Sequence, residues 1–320
     1  MSTIDQGAEQ GGAVLVEDSS TCDGGERAST GRACILVATN GSPEAEAALH
    51  FATALTRRVR LPLHVLTVLE PLPAIPAQPV TASYHFDVEM ERGERILNLV
   101  REELSANGIQ EGATTSMLVG MPGATIAEAA RDWRAEYIVL GAGRHGALER
   151  MLAGDTVVRV LRHAPVPVIA VPPECDALPR HGVAAVDFGP ASLAAARAAA
   201  TIICTGRLHL VHVRPEIDIP AGEPEAWSAV YEAGARSLLT QLADEIRDQH
   251  PGVRLDAEMR RGHAPTVLLD FVNEVGADFV ATGQHSRGVM DRFLFGSVAN
   301  AMVRGARCGV LVAPAPAEAR

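Results

Sequence analysis

Apolar residues along this chain fall into short uninterrupted runs, and between them lie longer stretches with helical spacing. The runs Cys34–Ala38, Leu63–Leu69, Thr114–Val119, Tyr137–Leu140 and Val166–Val171 predict five strands. Val183–Val186, Leu208–Val213, Arg254–Met259, Phe279–Thr282 and Gly309–Ala313 predict five more. Runs of Val, Ile and Leu without polar alternation suit strands covered on both faces, as in a parallel sheet. Helical segments between such strands make βαβ units. Ser42-Pro43 supplies an N-cap and an N1 proline, after which Ala45, Ala48, Leu49, Ala52 and Leu55 fall on one face. The longest helical patterns run over Asp87–Asn107 and Glu225–Gln249, and the proline-rich stretches 71–80 and 215–224 read as loops.

The pattern occurs twice. Gly120 pairs with Gly262, Gly141 with Gly283 and Gly154 with Gly296, each pair 142 positions apart. Upstream, VATNGSPEAEAALHFA matches AAVDFGPASLAAARAA with Asn40 opposite Asp187, at an offset of 147. Two copies of one domain therefore cover nearly everything after residue 31. The expected division is an acidic disordered tail over 1–30, a first domain over 31–172, a linker over 173–180 and a second domain over 181–315. Each domain reads as a doubly wound, Rossmann-like sheet of five mostly parallel strands, with ligands at the carboxyl edge where strand order reverses. The fifth strands would be bare edges in isolated domains, so they are expected to face each other in an internal pseudo-dimer.

Composition narrows the functional classes. A net charge of −11 argues against nucleic-acid binding, and no apolar run reaches the ~20 residues of a membrane span. The N-terminal thirty residues hold six acidic residues and one arginine, without the basic start and apolar stretch of a leader, so a cytoplasmic setting is expected. Five scattered cysteines without a CxxC pair signal neither a zinc ribbon nor a disulfide framework. His209 and His212 stand three apart on one predicted strand, on opposite faces, and read as structural. His145, His263 and His285 fall in carboxyl-edge loops within reach of a ligand.

The segment after the fourth strand carries the chemistry. In the second copy Gly283-Gln-His-Ser286 is followed, nine residues later, by Gly296-Ser297-Val298-Ala299. A glycine turn leaving a strand and a glycine with a hydroxyl opening a helix make an anion cradle, because helix-start N–H groups point outward and the dipole favours negative charge. This G-x2-G-x9-G-[ST] pattern resembles the ATP-binding motif of the universal stress protein family, and the resemblance spans both copies. It implies adenine-nucleotide binding in one branch of the family and none in another. The site it implies comprises Asp187, Val213, Gly283, Gly296, Ser297, Val298 and Ala299, with Ala185 and Thr282 beside them at the strand ends. Ser286 stands where the family has a second glycine. ATP, with Mg2+ as its companion ion, is the cofactor implied.

The first copy departs further: Gly141 and Gly154 remain, Asn40 replaces the aspartate, Arg144 the second glycine and Asp155 the hydroxyl residue, with Val68 in the adenine-side position. A carboxylate at a helix start occupies the donors a phosphate would use, so this copy is expected to bind feebly or not at all. No G-x-S-x-G, HExxH or Walker pattern occurs, nor an SGGxDS loop after either first strand, so enzymatic machinery is not visible. Three functions compete: an ATP-binding regulatory module acting mainly through the second domain in a stress response, a nucleotide-free stress-response interaction module, and a slow adenine-nucleotide hydrolase. Adenine nucleotide, a second copy of the chain and an unidentified protein are the expected partners; nucleic acid and membrane are not.

Overall fold

A computed structural model describes residues 33–70, 79–106, 112–143, 156–175, 177–216, 225–284 and 296–316. The expected tail over 1–30 and most of both proline-rich stretches lie outside the described residues. The first repeat contains β1 (Cys34–Ala38), α1 (Pro43–Val59), β2 (Leu63–Leu69), α2 (Pro79–Ala106), β3 (Ala113–Val119), α3 (Pro122–Asp132), β4 (Ala135–Gly141), α4 (Thr156–His163) and β5 (Val168–Val171). The second contains β6 (His181–Ala185), α5 (Pro190–Ile203), β7 (Gly206–Arg214), α6 (Glu225–Gln249), β8 (Val253–Arg261), α7 (Ala264–Glu274), β9 (Phe279–Gly283), α8 (Ser297–Gly305) and β10 (Gly309–Ala313).

All ten strands among the described residues form one sheet in the order β3-β2-β1-β4-β5-β10-β9-β6-β7-β8. Every neighbouring pair is parallel except β5 and β10, which run antiparallel with Ala170 opposite Val310 and Val168 opposite Val312. The two repeats thus meet edge to edge as an internal pseudo-dimer, and each fifth strand covers the edge the other would expose.

Alternate strand residues feed two cores. Ile35 and Val37 pack with Phe51 and Leu55 of α1, while Leu36 packs on the opposite face with Ile126 of α3 and Val160 of α4. Helices α1, α2, α5 and α6 cover the first face; α3, α4, α7 and α8 cover the second. With aromatics at 4%, close approach rests on small side chains: Ala195, Ala196, Ala199 and Ala200 of α5 are fully buried. Burial pushes the Cys34 thiol up to about 11 and that of Cys308 up to about 12, so neither is a ready nucleophile. Among the described residues no helix is long and apolar enough to cross a membrane.

Several sequence expectations need correction. Helix α2 starts at Pro79, eight residues before the expected Asp87; the intervening VTASYHF is rich in β-branched and aromatic residues, a weak propensity signal that tertiary context overrides. Strand β6 is His181–Ala185 rather than Val183–Val186, because Gly182 belongs inside it: a Cβ there would stand 2.6 Å from Ile203 Cδ1. Asp187 therefore lies two residues beyond the strand instead of ending it. Strand β5 begins at Val168, two residues later than expected, while β4 and β7 begin two residues earlier and β8 ends two residues later.

Candidate functional site

Strand order in the second repeat reverses between β6 and β9, and a cleft of about 500 Å3 opens there at the carboxyl ends of the strands. Nine of the ten second-repeat residues named from the sequence line it: Ala185 at the end of β6 and Asp187 in the loop beyond it, Val213 of β7, Thr282 and Gly283 of β9, and Gly296, Ser297, Val298 and Ala299 at the start of α8. Ser286 lies outside the described residues, as do His145 and His285.

The floor is held by a loop with little freedom. Asp187 Oδ1 accepts from the Gly189 N–H at 2.9 Å and from the Ser192 hydroxyl at 2.6 Å, while Ser192 Oγ accepts from the Asp187 N–H at 3.2 Å. Between them Phe188 takes a left-handed backbone, φ 62°, which costs a non-glycine residue about 1–2 kcal/mol. Its ring packs on His212 at 4.7 Å. His212 is fixed in turn: Nδ1 lies 2.7 Å from the Val186 carbonyl and Nε2 2.8 Å from the Tyr231 hydroxyl. His212 thus buttresses the Asp187 loop, whereas His209 points to the other face against Phe271, so the two histidines do part across the sheet.

The two cleft glycines have different causes. A Cβ on Gly283 would lie 2.5 Å from the Ser192 nitrogen and 2.7 Å from the Ala191 carbonyl carbon, so the end of β9 presses directly on the first turn of α5. Gly296 has φ −51° and ψ 142°, a backbone open to any residue. It caps α8 without a side-chain hydrogen bond, so the leading N–H groups of that helix carry no cap from Gly296 beside the cleft.

In the first repeat Asn40 copies one half of the Asp187 arrangement, its Oδ1 accepting from the Ser42 N–H at 3.1 Å. Gly141 presses on the start of α1 as Gly283 does on α5, with the Ala45 nitrogen 2.8 Å from a built Cβ. Val68 is a half-buried residue of β2 packed on the second core. Arg144, Gly154 and Asp155 lie outside the described residues.

Sequence reasoning missed Ser192, Pro265 and Leu268, which also line the cleft, whereas His263, read from the sequence as a loop histidine within reach of a ligand, does line it. Ser192 had a readable signal, a hydroxyl at the third helical position after Asp187-x-Gly-Pro. His263 precedes α7 and lies 3.1 Å from the Thr266 hydroxyl through Nδ1. Leu268 had none, being one apolar helix residue among several.

A doubly wound α/β unit with a cleft at its strand-order reversal defines a Rossmann-like binding fold, here present twice in one chain. The sequence model of the Universal stress protein family matches residues 33–172 and 180–314. The chain belongs to the universal stress protein family. It is 27% identical over 289 residues to a universal stress protein of Mycobacterium tuberculosis, covering 87% of this chain and 96% of that protein. A Mycolicibacterium smegmatis universal stress protein is likewise 27% identical over 290 residues, covering 87% and 96%. A solved universal stress protein from Archaeoglobus fulgidus shares the fold with TM-score 0.67 at 21% identity, covering 88% of this chain and 96% of that one.

Proposed function

We propose that the second repeat binds ATP in this cleft and that the protein is a nucleotide-dependent regulatory module rather than an enzyme. The observation that carries the reading is the convergence of Asp187, Gly283 and the first turn of α8 on one cleft at the strand-order reversal. A polyphosphate suits that turn, where outward N–H groups and the helix dipole favour negative charge. Asp187 and Val213 also line the cleft, and they suit a ribose hydroxyl and an adenine face. Mg2+ would arrive as the counter-ion of the triphosphate, held largely by phosphate oxygens and water. In a cytoplasmic stress response such a module would act through a second copy of itself or another protein.

One observation favours the nucleotide-free interaction module instead. Asp187 Oδ1 already accepts two internal bonds, and packing alone accounts for Gly283. Calorimetric titration of ATP separates the readings. Binding of one equivalent, lost on Gly296→Asp and kept on Gly154→Asp, is the expected outcome. A carboxylate placed beside phosphates costs on the order of several kcal/mol in a partly buried site, enough to remove binding at accessible concentrations. If the wild-type chain binds no ATP, the interaction module takes over. Release of inorganic phosphate that follows ATP occupancy would move the assignment to a hydrolase.

A further inference from the structure

Helices α1 and α2 of the first repeat bring together three side chains that the nucleotide reading does not use. Glu46 and His50 stand one turn apart on α1 and share a face. Glu103 reaches them from α2, its Oε1 2.7 Å from His50 Nε2. One donor atom from each of the three residues lies within 4.8 Å of the other two. Among the described residues no other group of three or more His, Cys, Asp or Glu side chains converges in this way.

The second repeat shows the arrangement in its plain form. By the 147 and 142 offsets of the repeats, Arg197 stands for His50, Leu193 for Glu46 and Glu245 for Glu103. Arg197 and Glu245 make a two-pronged ion pair, with Nε–Oε1 2.7 Å and Nη2–Oε2 3.0 Å. An arginine and a leucine offer no metal ligand. The first repeat has a histidine and a glutamate at those two places, and both differences put ligands where the second has none.

We propose that Glu46, His50 and Glu103 bind one divalent transition-metal ion of the Zn2+ type between α1 and α2. Zinc takes imidazole nitrogen and carboxylate oxygen at about 2.0–2.2 Å, and three protein ligands leave a fourth position for water. Donors around a tetrahedral ion at those lengths stand about 3.4 Å apart, wider than the 2.7 Å between His50 Nε2 and Glu103 Oε1 and narrower than the 4.8 Å that bounds the three, and side-chain rotation supplies both changes. The charges favour the ion as well. A cation between the two carboxylates removes their repulsion. Glu46 is exposed and His50 and Glu103 half-buried, so solvent reaches the site.

The test is Zn2+ titrated into the full chain after dialysis against EDTA, followed by calorimetry and, with Co2+, by visible absorption. One equivalent is expected to bind. His50→Arg copies the second repeat: it keeps the ion pair with Glu103, and thus the fold and melting temperature, while affinity falls at least tenfold. Glu46→Leu should lose affinity equally. Glu245→Gln and His181→Ala are expected to bind like the wild type, the latter excluding the His181–His209 pair, whose Nε2 atoms lie 3.0 Å apart. Failure of the wild-type chain to take up Zn2+ at millimolar concentration overturns the proposal. So does unaltered affinity in folded His50→Arg, or loss of binding in His181→Ala. None of these outcomes depends on whether ATP binds.

Discussion

Phe51 of the first repeat stacks on Phe279 of the second, with ring centroids 6.4 Å apart and planes inclined by 16°. Both are almost wholly buried, at 1% and 0% exposure, in a core that draws on both repeats. Nearby, Arg58 of α1 donates to the carbonyls of Ile202 and, at 3.0 Å, Ile203, the last residues of α5. A helix end thus finds part of its capping in the other repeat. The repeats are joined through side chains as well as through β5 and β10.

From this follows a single unfolding unit. Phe51→Ala should lower stability by about 3–5 kcal/mol, the usual cost of truncating a core phenylalanine. Trp133 fluorescence, a probe in the first repeat, and the circular dichroism of the whole chain should report the same urea midpoint. Two separated midpoints would show that each repeat holds its own independent core.

Gly283 and Gly234 should answer in opposite directions to the same substitution. Gly283→Ala drives a methyl group into the backbone of α5, and about 1–3 kcal/mol of stability should be lost with the fit of the cleft. Gly234 sits inside α6, exposed, with nothing within 4 Å of a built Cβ. Gly234→Ala should therefore raise stability by about 0.5–1 kcal/mol. Melting curves of the two variants decide the matter, and a neutral Gly283→Ala would refute the close contact of β9 with α5.

His64 gives stability a pH dependence whose sign is set by burial. Its ring stacks on Trp133 at 3.8 Å, with Nδ1 2.7 Å from Thr114 Oγ1 and Nε2 3.0 Å from Ser116 Oγ. Burial pushes the imidazole from 6.5 down to about 4. Below pH 6.5 the unfolded chain takes up a proton that the folded chain refuses until about 4, so this contribution is full above 6.5 and lost as pH falls towards 4. The loss should be roughly 3 kcal/mol near the lower end. Urea midpoints at about pH 7.5 and about pH 4.5 measure it against other acid effects. His64→Gln should show a shallower decline than the wild type, and equal declines would remove His64 as a cause.

Much of the architecture is written locally. Apolar runs marked the ten strands to within about two residues, and 142-residue spacings exposed the repeat. Asp187, Gly283 and Gly296 stood out because strand ends and helix starts demand particular residue types over a few positions. Their gathering into one cleft follows from parallel βαβ order, which places every such turn on the same edge of the sheet. Other features depend on residues far apart in the chain, and no local pattern announces them. Gly182 inside β6 makes sense only once Ile203 is seen against it, and the bonding of Ser192 to Asp187 only once the Phe188 turn is formed. His50 and Glu103 are separated by a strand and a loop, and Phe51 and Phe279 by most of the protein; sheet register and helix packing alone decide that they meet. A strand or a cap is specified by its nearest neighbours, whereas a contact across the sheet is specified by the closure of the whole fold.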